Sequence, residues 1–207
     1  MTKSFEKFLK QYHAVGREKG EGYDSSHFEG MTHNELETAE KMLIKDATQL
    51  DTTAIRGLGV LKSKNAEITL RSLLEKVSAP SYAHLHIAKA LWEITNDLVF
   101  QEIIFEDFDE DNDPLRQQVA IALEGTKPSK FTFKIFVEML RKEKESTMRT
   151  SAASGILIFY GLLESPIDYK NFQKYLPLVR ILTHSTDEKS LSAAIAEVEK
   201  EAAKLTR

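Results

Sequence analysis

The chain has no cysteine among its 207 residues. That removes a disulfide framework, a thiolate zinc site and a cysteine nucleophile together. Proline is scarce, at five residues, and glycine amounts to nine, so long uninterrupted elements are expected. A strong charge of either sign is also missing. The 28 basic and 32 acidic side chains leave a formal charge of -4, which gives no global attraction toward nucleic acid or an anionic membrane. No run approaches the roughly 20 apolar residues needed to cross a bilayer. The opening residues, MTKSFEKFLKQYH, carry Lys3, Glu6, Lys7 and Lys10 within their apolar spacing. They therefore lack the hydrophobic region of a signal peptide, and a cytoplasmic location follows by default.

What is present is 42% hydrophobic and 29% charged residues, the balance of a folded chain. A compact domain of this length buries roughly 70% of its unfolded surface and needs no staple. Phe5, Phe8, Leu9 and Tyr12 fall at helical spacing and predict a first helix over about Ser4 to Tyr12. Gly16 to Gly30 holds four of the nine glycines among charged residues and reads as a loop. Thr32, three residues before Glu35, fits a capping box opening the next helix.

Beyond that point one unit recurs. A polar turn leads into a helix dense in alanine, glycine and leucine, and a second helix follows with larger apolar residues. Aligning Gly57, Ala90, Ala122 and Gly155 gives steps of 33, 32 and 33 residues. A helix pair of this length cannot bury its own apolar face and stacks on its neighbours. In Ala66 to Val77, Leu70, Leu73, Leu74 and Val77 form one stripe, with Arg71, Glu75 and Lys76 outside it or at its border. The last second helix is placed from Tyr175, after an insertion over Tyr160 to Tyr175. The expected fold is all-α, a short right-handed solenoid of about five helical hairpins. Residues 1–33 form an N-terminal helix and glycine-rich loop, and 34–207 a repeat domain with the insertion near 160–175.

TAIRGLGVL with its preceding Asp51, AHLHIAKALWEI, DPLRQQVAIALEG and STMRTSAASGILI resemble the HEAT-repeat class, in particular small bacterial HEAT-like proteins. Asp113 and Arg116 resemble the aspartate and arginine that mark a repeat turn and first helix. The other repeats lack that pair. The resemblance implies a HEAT-like alpha-alpha superhelix and a scaffolding role. Some members of the class bind nucleic acid or act on nucleobases, and similar small proteins are partners of toxins or effectors.

The candidate sites are few. Asp107, Asp109, Asp111 and Asp113 alternate as in the first half of a calcium loop. Asn112 stands where glycine is required, and Gln118 where a bidentate glutamate would close the shell, so a solvated turn with Asp113 as N-cap and Pro114 as first helical residue is favoured. Seven carboxylates and no base lie from Glu102 to Asp113, a patch suited to a basic partner. Lys127, Lys130, Lys134 and Arg141 repeat at near-helical steps and offer a basic face, diluted by Glu138, Glu143 and Glu145. Phe131, Phe133, Ile135, Phe136, Val137, Met139 and Leu140 spread round more than half a turn, either as core between adjacent repeats, the favoured reading, or with one edge facing a groove or a partner. Trp92 lies on a first helix, as core or as the wall of a groove. His13, His27, His33 and Asp24 match no strong metal spacing.

No nucleophile elbow or triad order appears, and no cofactor is implied. The favoured function is a non-catalytic protein-binding or scaffold module using the second-helix face, including an immunity-like or effector-partner role. Arg71, Lys130, Phe131, Lys134, Tyr169, Phe172 and Arg180 are the contact candidates, with Trp92 for a groove. A nucleic-acid-binding HEAT-like protein is the first alternative. A small-molecule or nucleobase enzyme in the solenoid groove is the second, and a homo-oligomeric role the third.

Overall fold

Side chains at the helix ends start most of the elements. Thr32 accepts from the Glu35 amide while Glu35 returns to the Thr32 amide, the expected capping box. Asp51, Ser81, Ser129, Asp168 and Asp187 cap later helices by accepting from a first-turn amide. The computed structural model describes residues 1–108, 112–165 and 168–205. Among them every regular element is helical.

The order is α1 (Lys3–Tyr12), α2 (Gly16–Glu21), a 3-10 turn (Ser25–His27), α3 (His33–Ala47) and α4 (Thr52–Leu61). A second 3-10 turn (Lys64–Ala66) leads into α5 (Glu67–Leu74), α6 (Tyr82–Thr95) and α7 (Val99–Glu106). Then come α8 (Asp113–Glu124), α9 (Lys130–Lys142), α10 (Ser146–Phe159), α11 (Tyr169–His184) and α12 (Glu188–Ala202).

Three segments differ from expectation. The glycine-rich stretch is not all loop, because α2 forms in it. Arg17, Glu18 and Lys19 favour helix, and Gln11 of α1 donates to the carbonyls of Glu18 and Lys19 at its end. The last second helix starts at Tyr169 rather than Tyr175, because Asp168 caps it by accepting from the Asn171 amide. Asn112, not Asp113, caps α8, which puts Asp113 and Pro114 in the first turn.

The chain divides into two units, Met1–Asp109 and Glu110–Arg207. In the first, α4 packs against α3 and α6, and α6 also carries α5 and α7. Phe8, Leu43, Ile55, Leu58, Leu70, Ile87, Leu91 and Phe100 form its buried core. The N-terminal segment closes one side with a ring cluster, Phe8 against Phe5, Tyr12, Tyr23 and Phe28. At the α4–α6 crossing a Cβ on Gly59 would lie 3.1 Å from the Cα of Ala90, so the small residues of the first helices do permit close approach.

In the second unit α10 packs against α8, α9 and α11, and α12 rests on α11 and α9. A Cβ on Gly155 would lie 2.3 Å from the Phe136 ring, so the glycine makes room for a phenylalanine of the second helix. Arg149 of α10 donates to the carbonyls of Leu140, Glu143, Leu182, Thr183 and Ser185. One guanidinium thus satisfies the carbonyls that α9 and α11 leave unpaired at their ends.

Candidate interaction surface

The second helices of the first unit present apolar groups outward. Lys64 ahead of α5 donates to the carbonyl of Ile94 near the end of α6, at 2.8 Å. That draws the start of α5 to the turn from which α7 departs. Both α5 and α7 pack on α6. Arg71 joins them, its guanidinium 5.2 Å from the centroid of the Phe100 ring. Its Nε also donates to Glu67 at 2.9 Å, which fixes the fork in place.

Around this contact Ile68 is 82% exposed, and Leu98 and Val99 are each 45% exposed. Along α7, Val99, Glu102 and Glu106 share the exposed face, and along α5 Ile68, Arg71 and Glu75 do so. Asp97, Glu102, Glu106 and Glu75 are exposed. The bases around it are Arg71, already engaged, Lys64, taken up by the Ile94 carbonyl, and Lys76 beyond the end of α5.

Of the contact residues expected from sequence, Arg71 belongs to this surface and the others lie in the second unit. There Lys130 and Lys134 are exposed one turn apart on α9, and Arg180 is exposed on α11 beside Ile181. Phe131 and Phe172 are half-buried. Tyr169 opens α11, and its side chain lies outside the described residues. Phe136, Val137, Met139 and Leu140 are buried, while Phe131, Phe133 and Ile135 keep partial exposure. Phe133 stacks on Phe159 with centroids 4.7 Å apart, so much of this aromatic edge is met within the unit. The basic row ends in acid, for Arg141 bonds Glu188 at 2.7 and 2.8 Å and Glu138 at 3.2 Å.

Trp92 is half-buried on α6. The Lys89 ammonium sits 4.3 Å from its ring centroid and 3.6 Å from Glu93. Nearby His86 is pushed down to about 4 by burial and by the Arg56 charge, which keeps it neutral. Three surface clefts have volumes of about 440, 670 and 310 Å³, and Trp92 lines none of the three.

Of the alternating aspartates, Asp107 and Asp113 make separate contacts. Asp107 is fully buried, accepts from the Ser81 amide at 2.7 Å and meets His84 Nδ1 at 2.8 Å. Asp113 is turned to Arg116 at 2.6 Å. Asp109 and Asp111 lie outside the described residues. Asp107 thus holds the start of α6 and His84 instead of standing in a solvated turn. His27 is buried against Asp24 at 3.0 Å, whereas His33 pairs with Glu37 at 3.2 Å, so these histidines serve separate local contacts. Among the described residues no group of three His, Asp or Glu side chains is arranged to hold a metal. No described helix is long and apolar enough to cross a membrane.

Sequence reasoning missed Ile68, Leu98 and Val99. The signal was there for Ile68, which lies two positions, or about 200°, from Leu70 and so opposite the buried stripe. No family model, curated protein or solved structure matches the chain. What stands from the expected fold is an all-α protein whose successive helices pack on one another.

Proposed function

We propose that this chain is a non-catalytic protein-binding module of the HEAT-like, superhelical kind, and that it meets its partner on the outer face of its second helices. Covering the active surface of a toxin or effector is one form of that role. The observation that carries the reading is the exposed apolar group Ile68, Leu98 and Val99 around the Arg71–Phe100 contact. Single exposed apolar residues are ordinary, but neighbouring ones on adjacent helices with a charged border are the pattern of a contact site. Arg71 suits the centre of such a site, since arginine is enriched in interface cores and is held rigid here by Glu67 and the ring. The second unit carries exposed bases of its own, Lys130 and Lys134 on α9 and Arg180 on α11. A nucleic-acid contact draws little support from α9, because Glu138 and Glu188 occupy its arginine.

The test is affinity capture with the full chain and with Ile68→Asp, compared from the same native lysate. The expected result is one stoichiometric protein retained by the native chain and lost by the variant, with circular dichroism unchanged. Equal retention by both would contradict the reading.

A further inference from the structure

We infer that the partner segment seated on α5 and α7 is basic, an amphipathic stretch whose apolar side chains fill the space around Ile68, Leu98 and Val99 and whose lysines or arginines meet the carboxylates beside them. The inference rests on the protein-binding reading and adds the partner's chemistry.

Three observations on one surface converge on it. The apolar groups lie in the first turn of each helix, Ile68 on α5 and Val99 on α7, with Leu98 just before. The carboxylates follow on the same outer stripes. Glu102 is one turn past Val99 and Glu106 two turns past, roughly 5 and 10 Å further along the axis, and Glu75 lies two turns past Ile68. Asp97 stands at the opposite edge, before Leu98. The apolar anchor is thus bordered by acid on both sides along α7.

Among the described residues no ion pair neutralises that border, and Lys64, the cation nearest its Asp97 end, is held by the Ile94 carbonyl. From Ala90 to Leu115 the sequence contains no lysine or arginine. Arg71, the one guanidinium at the centre, already serves Glu67 and the Phe100 ring. No ion pair joins Asp97, Glu102 or Glu106 to another described residue.

The energetics then choose the occupant. A neutral apolar partner large enough to cover Ile68 and Val99 would strip water from Glu102 and leave its charge unpaired, which is costly. A basic partner replaces that water with charge-assisted hydrogen bonds and is also steered toward the site. The same charge repels phosphate, so an anionic membrane or a nucleic acid is disfavoured on this face.

The probe is a labelled amphipathic peptide with leucines on one face and lysines flanking them, and its counterpart with glutamates in place of the lysines. Both are titrated into the full native chain, Ile68→Asp and the double variant Glu102→Lys/Glu106→Lys, each checked for native circular dichroism. The expected result is saturable binding of the lysine peptide to the native chain, weaker by about tenfold or more in each variant and falling with salt. The double variant is expected to gain affinity for the glutamate peptide. No saturable binding of the lysine peptide, equal binding to all three proteins, or preference of the native chain for phosphatidylserine vesicles or single-stranded DNA would overturn the inference. The native partner separates this failure from failure of the parent reading. A captured protein lost by Ile68→Asp but kept by the double variant overturns only the basic chemistry, and one kept by both overturns the docking face as well.

Discussion

Glu124 is held in surroundings that oppose its charge. It is the last residue of α8, where the helix dipole is negative, and it is buried against Ser151 and Ser154 of α10. Burial pushes its carboxyl up to about 7 from an ordinary 4.5, with the two serine hydroxyls opposing the rise. The folded chain therefore binds a proton over a range in which the unfolded chain has lost it. The contribution of Glu124 to stability is greatest below the unfolded value and falls as pH climbs from about 4.5 to about 7. Glu124→Gln keeps the shape without the charge. It is expected to flatten that fall and to stabilise the protein at about pH 8 by up to about 3 kcal/mol, with little change near pH 5. Urea unfolding at the two pH values checks this, and an equal effect at both would contradict it. Composition showed only a glutamate after an alanine-rich helix. Its burial depends on serines nearly 30 residues away, a tertiary fact that helical spacing does not carry. The same holds for Asp107, which sequence placed in a solvated turn and which the fold buries with His84.

At the scale of helices, the ends were easier to read than the gaps. Thr32 and Glu35 announced α3, and the stripe Leu70, Leu73, Leu74 announced the inner face of α5, because both signals are local. The start of α11 was hidden in the stretch read as an insertion up to Tyr175, whereas the helix runs from the Asp168 cap through Pro177. The Arg149 bridge was hidden too, since its acceptors are backbone carbonyls on two other helices. Its importance is testable. Arg149→Leu fills similar volume but leaves several carbonyls at the ends of α9 and α11 without a donor, at a cost expected to reach about 3 kcal/mol or more. Thermal unfolding of the variant measures it. Arg149→Lys should recover only part, because an ammonium lacks the five-donor fork. No loss in either variant would mean that water replaces the guanidinium at no cost.

The whole chain comprises two helical units, each with its own buried core, and its near-neutral total charge conceals a local imbalance. The run of acid without base between Ala90 and Leu115 was visible in sequence, but its relation to exposed isoleucine, leucine and valine was not. Periodicity assigns apolar residues to the core by default, and only packing shows which of them are left outside. Binding through α5 and α7 is the central claim, and amide hydrogen exchange of the full chain with and without its captured partner tests it most directly. Added protection concentrated in residues 67–75 and 98–106 is the predicted result. Protection confined to the second unit, with those two helices unchanged, would contradict it.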